Sequence, residues 1–190
     1  MRTLALALSL LVALPAVAKE QKFDEFLPKF RKLYAYYHMG PSLARKDIDL
    51  IAVRIWHGSG QNYLYASTTA SQGILETHYL RSISHGGHKG DVGMRNKTIL
   101  YEARRQGLIK RLNDRWILRY CEKNPAFADK LAASRFVYLN GIFKDRRITI
   151  FHWVRGNGWK TNDKDLQDVV KYWGNVEKVR IQIFGEGAVK

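Results

Sequence analysis

The chain has one cysteine, Cys121, so no internal disulfide can brace it, even in an exported protein where one could form. Past its first eighteen residues it has no apolar run long enough to cross a bilayer. Acidic residues are scarce: 17 Asp and Glu stand against 32 Lys and Arg, a formal net charge of +15. There is no internal repeat, no low-complexity stretch, no inter-domain linker and no H-E-x-x-H zinc signature. Stability must therefore come from packing. Cys121, inside the helical-looking stretch Arg115–Cys121, reads as a buried small hydrophobe rather than a nucleophile.

The first segment is where the apolar residues concentrate. Residues 1–18 read as a signal peptide, with Arg2 as the positive n-region and Leu4–Val12 as the apolar h-region. Pro15-Ala16-Val17-Ala18 supplies an A-x-A cleavage site before Lys19. The expectation is a periplasmic or secreted protein, cleaved near Ala18, with no transmembrane anchor. About 170 residues then remain, the size of one domain with a substantial core. Arg2 is the only charged residue in the leader, so the basic excess belongs to the remainder. The basic residues are dispersed rather than forming one tract, so no nucleic acid is expected as partner. Outside the inner membrane the anionic candidates are cell-wall polymers; a merely solubilising cationic surface fits equally well.

Periodicity makes the chain mainly α. Residues 19–46 read as an N-terminal arm in which Phe23, Phe26, Phe30, Leu33 and Tyr37 have helical spacing, interrupted at Pro28. Residues 47–190 read as the domain proper. Ile48, Ile51, Ala52, Ile55 and Trp56 share a helix face. A second helix starts near Asn62 and runs to about Leu80, against the Tyr and Thr content of its first half. Residues 81–96 form a glycine-rich loop. Helices follow from Thr98 to Gln106, Asp114 to Lys123, and Ala126 to Phe143, the last restarted by Asn124-Pro125. Ile148–Val154 fits a strand or a short buried helix, and Leu166–Phe184 a last helix, broken near Gly174.

One carboxylate stands out. Glu76 lies in Ile74-Leu75-Glu76-Thr77-His78-Tyr79-Leu80, an otherwise apolar run, ahead of Gly90-Asp91-Val92-Gly93-Met94. Apolar neighbours penalise a charged carboxylate, and such a group can donate a proton to a leaving group. Glu76-Thr77 followed by this glycine loop, and then by Trp153-Val154-Arg155-Gly156-Asn157-Gly158, resembles the lytic transglycosylase and goose-type lysozyme superfamily. That family has a catalytic Glu followed by Ser or Thr, a G-x-x-G-L-M-Q loop and a Y-N-A-G-x-G turn. Ser84 falls where the intervening loop often carries a serine. The resemblance spans roughly residues 47–184 in order. The family's Leu-Met-Gln is Met94-Arg95-Asn96 here, and its Tyr-Asn is Trp153-Val154.

The resemblance implies a lysozyme-like domain, with a glycine-rich loop or small β element beside the catalytic helix. It implies cleavage of the β-1,4 bond between N-acetylmuramic acid and N-acetylglucosamine in peptidoglycan, with no cofactor. In the transglycosylase reaction Glu76 acts as acid and then base while the muramyl 6-hydroxyl attacks its own anomeric carbon. In a hydrolase a second carboxylate is needed, and Asp91 is the nearest. Substrate-binding candidates are Thr77, Ser84, Gly93, Met94 and Asn96, with Tyr101, Tyr138 and Trp153 as stacking aromatics. A monomer is expected. Two rivals stand beside this reading. One is a zinc-dependent wall hydrolase using His78, His85 and His88 with Asp91 or Glu76, although His85-Gly86-Gly87-His88 is not a strong ligand spacing. The other is a non-catalytic wall-binding relative.

Overall fold

Eight helices and one two-stranded hairpin make up the described residues of the computed structural model, which are 22–37, 43–77, 88–90, 92–109, 113–155, 160 and 163–185. The chain is mainly α, as its periodicity predicts. The helices are α1 (22–37), α2 (Arg45–Gly58), α3 (Tyr63–Thr77), α4 (Asn96–Arg105), α5 (Asp114–Lys123), α6 (Pro125–Phe143), α7 (Arg146–Arg155) and α8 (Asp163–Phe184). Between α3 and α4, β1 (His88–Lys89) pairs antiparallel with β2 (Met94–Arg95), His88 opposite Arg95 and Lys89 opposite Met94. None of the helices among the described residues is long and apolar enough to cross a membrane. The segment expected to be a leader, residues 1–18, lies outside the described residues.

The organising element is α6. It is apolar nearly all round, burying Ala126, Ala128, Leu131, Ala132, Ala133, Phe136 and Leu139, which is the signature of a central helix. One core cluster joins α1, α2, α3, α8 and one side of α6, around Phe26, Phe30, Ile51, Ile55, Ile74 and Phe184. A second joins the hairpin, α4, α5 and the other side of α6, around Val92, Met94, Ile99, Ile117, Cys121 and Leu131. Cys121 is indeed a core residue, and burial pushes its thiol up to about 12.

The arm differs from expectation. Helix α1 runs unbroken through Pro28, which sits on its exposed side, while Phe26, Phe30 and Leu33 are fully buried. Each such side chain contributes roughly 1.5–3 kcal/mol on burial, enough to offset the backbone hydrogen bond that proline removes. Arg31 grips Asp49 of α2 with two bonds of 2.8 Å, and Lys29 donates to the Phe184 carbonyl at 3.0 Å. This segment is part of the core rather than an appendage.

Other elements follow local chemistry. Asn62 accepts from Tyr65 N–H at 3.1 Å and starts α3. The Ser and Thr content of α3 is accommodated because Thr68 and Ser71 donate back to the carbonyls of Leu64 and Ser67. Helix α4 begins at Asn96, two residues ahead of Thr98. Asn124 turns back to the Tyr120 carbonyl of α5 instead of capping α6, and Pro125 takes the first turn of α6. Residues 148–154 are helical, not strand, because Asp145 caps Ile148 N–H at 3.0 Å. Helix α8 continues through Gly174, where Arg146 on α7 binds Glu177 with two bonds of 2.9 and 2.8 Å and Arg180 clasps the same carboxylate.

Candidate active site

The end of α3, the hairpin, α4, α6 and α7 surround a cleft of about 570 Å³. Glu76 comes from the last turn of α3, and Val92, Gly93, Met94 and Arg95 from the hairpin. Thr98 comes from α4, Arg135 and Leu139 from α6, and His152, Trp153 and Val154 from α7. Among the described residues Glu76 is the one carboxylate in that lining.

Helix geometry explains how Glu76 reaches the cleft. Ile74 is fully buried in the first core cluster. Two residues on, the helix has turned by roughly 200°, so Glu76 faces away from that core. Its side chain is exposed, so its apolar sequence neighbours do not shield it as the run alone suggests. Its immediate environment is set instead by Tyr172 on α8, whose hydroxyl donates to Glu76 Oε1 at 2.6 Å. Burial pushes the Tyr172 phenol well above its usual range, and the Glu76 charge pushes it the same way. The phenol therefore stays protonated and remains a donor. Gln72, one turn before Glu76 on α3, is itself buried.

The hairpin loop is placed against Glu76 by two glycines. Gly93 has φ +68°, and a Cβ there would sit 3.7 Å from both Cβ and Oε2 of Glu76. Gly90 has φ +74°, and a Cβ would meet Ala128 Cβ at 2.7 Å and Asp129 Oδ1 at 2.8 Å. Both conformations are ones that glycine adopts without penalty. The buried Asp129 carboxylate accepts the Val92 N–H at 3.0 Å. The loop is thus pinned to α6 from below while its upper face meets Glu76.

The expected site residues distribute as follows. Glu76, Gly93, Met94 and Trp153 come together in the cleft. Met94 is buried and packs in the second core cluster, against which Trp153 rests, so both have a packing role as well. Asn96 opens α4 with its Oδ1 buried and without a hydrogen-bond partner, outside the cleft lining. Tyr101 and Tyr138 stand beside the cleft wall and touch it through Arg135, whose guanidinium lies 4.6 Å from the Tyr101 ring centre and 5.2 Å from that of Tyr138. Thr77 ends α3, but its side chain, Ser84 and Asp91 lie outside the described residues. So do His78, His85 and the side chain of His88, the proposed zinc ligands. Among the described residues, no group of His, Cys, Asp and Glu is arranged to hold a metal ion.

Three residues at the site were not singled out from sequence: Tyr172, Arg135 and His152. Each carries a readable signal. Tyr172 lies three residues after Val169 and four before Val176, both buried, so it points inward, where a phenol needs a partner. Arg135 directly precedes the buried Phe136 on the central helix. His152 stacks on Phe143 at 4.1 Å, and burial lowers its imidazole below the usual range. No family model matches the chain, and no curated protein or solved structure matches it either.

Proposed function

We propose that this protein cleaves the glycan strands of peptidoglycan at the β-1,4 bond between N-acetylmuramic acid and N-acetylglucosamine, as a lytic transglycosylase with Glu76 as general acid and base. The observation that carries this reading is the Glu76 carboxylate at the mouth of a 570 Å³ cleft, engaged by the Tyr172 hydroxyl at 2.6 Å and flanked by the Gly93 backbone.

The chemistry fits that arrangement. Breaking a glycosidic bond requires a proton on the leaving oxygen and relief of positive charge at the anomeric carbon. Protonated Glu76 supplies the proton. As a carboxylate it then takes the proton from the 6-hydroxyl of the same muramyl residue, whose oxygen closes on the anomeric carbon. Acid and base are one group, so no second carboxylate and no cofactor are required. Tyr172 holds the carboxylate in one orientation across both half-reactions. Gly93 leaves room for a sugar ring close to Oε2, and Trp153 offers an aromatic wall. The leader of residues 1–18 and the cationic chain suit export to an anionic wall.

Hydrolysis is the alternative, with Asp91 as the second carboxylate in the same hairpin loop. The products differ by one water. Digestion of purified peptidoglycan followed by mass spectrometry distinguishes them: anhydromuramyl ends for the transglycosylase, reducing ends for the hydrolase, and neither if the protein only binds.

A further inference from the structure

Arg135 lines the same cleft as Glu76 and brings a full positive charge to it. Among the described residues no carboxylate pairs with it, and its Nη1 is shut off from solvent without a hydrogen-bond partner. Arg105, which also stacks on Tyr138 at 4.7 Å, makes the contrast: Glu102 neutralises it through paired contacts that Gln106 reinforces. Two arginines thus share one tyrosine, and the one without a counter-ion is the one in the cleft. The two tyrosine rings pack on the Arg135 guanidinium, yet its Nη1 finds no acceptor there. A shielded guanidinium N–H lacking an acceptor carries a desolvation cost that an incoming anion relieves.

The surroundings favour the same ligand. The first turn of helix α4 reaches the cleft lining at Thr98 and contains no acidic residue. The partial positive charge of the N–H groups in that turn adds to that of Arg135. A carboxylate is also the group an arginine grips with two parallel bonds.

We propose that Arg135 anchors a subsite for a carboxylate carried by the glycan strand, so that this protein selects acidic strands over neutral ones of the same length. The proposal rests on the glycan reading of the cleft and names its substrate class. Two parts of a wall strand carry carboxylates: the lactyl ether of muramic acid, exposed when the peptide is removed, and the stem peptide.

The test measures binding without turnover, using the full chain with Glu76→Gln. Three ligands are compared: a neutral N-acetylglucosamine oligomer, strands stripped of peptide by an amidase, and peptide-bearing strands. The expected result is at least tenfold tighter binding of a carboxylated strand, reduced to the neutral level by Arg135→Gln. Arg119→Gln on the exposed face of α5 leaves the preference unchanged, and Arg135→Lys, which keeps the charge, retains part of it. Preference for stripped strands assigns the lactyl carboxylate, and preference for peptide-bearing strands alone assigns the stem peptide. Equal binding of all three ligands overturns the proposal. So does an equal loss across all three in Arg135→Gln, or a loss in Arg119→Gln as large as in Arg135→Gln. Acid-selective binding by a protein that releases no muropeptides would remove the cleavage reading and leave the subsite standing. Cleavage without selectivity would do the reverse.

Discussion

Tyr172 and Glu76, 96 residues apart in the chain, meet through a 2.6 Å hydrogen bond that joins α8 to the last turn of α3. The phenol is the donor, and it remains one because burial holds it in its protonated form. Replacing it with Phe keeps the ring and removes the hydroxyl. A hydrogen bond to a charged group is worth about 1.5–3 kcal/mol, so Tyr172→Phe should lower kcat by roughly 10- to 100-fold. KM should change little, because Tyr172 is absent from the cleft lining. Steady-state turnover of a soluble glycan substrate measures both; an unchanged kcat would remove Tyr172 from the machinery.

Gly90 and Gly93 should fail in different ways. Alanine at Gly90 adds a clash with Ala128 and Asp129 to the cost of a left-handed conformation, so the fold should lose roughly 2–4 kcal/mol. Alanine at Gly93 has room and costs only the conformational term, about 1–2 kcal/mol. Its methyl group, however, would stand 3.7 Å from Glu76, where substrate is to lie. Thermal melts should rank Gly90→Ala as the less stable variant, while activity per folded molecule should be lower in Gly93→Ala.

Glu177 receives both Arg146 and Arg180 at the packing of α7 on α8, and Arg180 is fully buried. Removing the one carboxylate leaves two guanidinium groups facing each other. Glu177→Gln should therefore cost about 3–5 kcal/mol in urea unfolding. A cost under 1 kcal/mol would mean that this network does not brace α7.

The Cys121 thiol is raised from 9.0 to about 12 by burial, with the Asp129 charge second. Since the folded value lies above the unfolded one, no stability is lost below pH 9. It is lost progressively as pH rises from 9 towards 12, because the unfolded chain ionises first. Three units correspond to ~4 kcal/mol across that window. Cys121→Ala should be less stable than wild type at pH 7, where it leaves a small cavity, and should lose less stability between pH 8 and 11. Parallel slopes for the two proteins would contradict this assignment.

The sequence reveals the helices wherever the buried face repeats cleanly, as in α2, where Ile51, Ala52, Ile55 and Trp56 carry the pattern. It misjudges places where packing overrides local preference. Pro28 reads as a break, but the phenylalanines on either side hold α1 together. Ile148–Val154 is ambiguous because its β-branched content suits a strand, whereas the Asp145 cap on Ile148 N–H starts a helix there. At the site, Glu76 and the hairpin loop are legible because they lie close together in the chain. For Tyr172 and Arg135 the sequence shows a position on a helix but not a role, which arises only when α8 and α6 pack around the end of α3 and the cleft.

The central claim is that Glu76 transfers the proton in glycan cleavage. The direct measurement is mass spectrometry of soluble products from purified peptidoglycan, digested by wild type and by Glu76→Gln at matched folded concentration. The account predicts anhydromuramyl products from wild type and a loss of about 10²–10⁴-fold in the variant, the range for removing a general acid. Because Glu76 is exposed, its circular dichroism and melting temperature should be nearly unchanged. Muropeptide release by Glu76→Gln at the wild-type rate, or none from folded wild type, would contradict it.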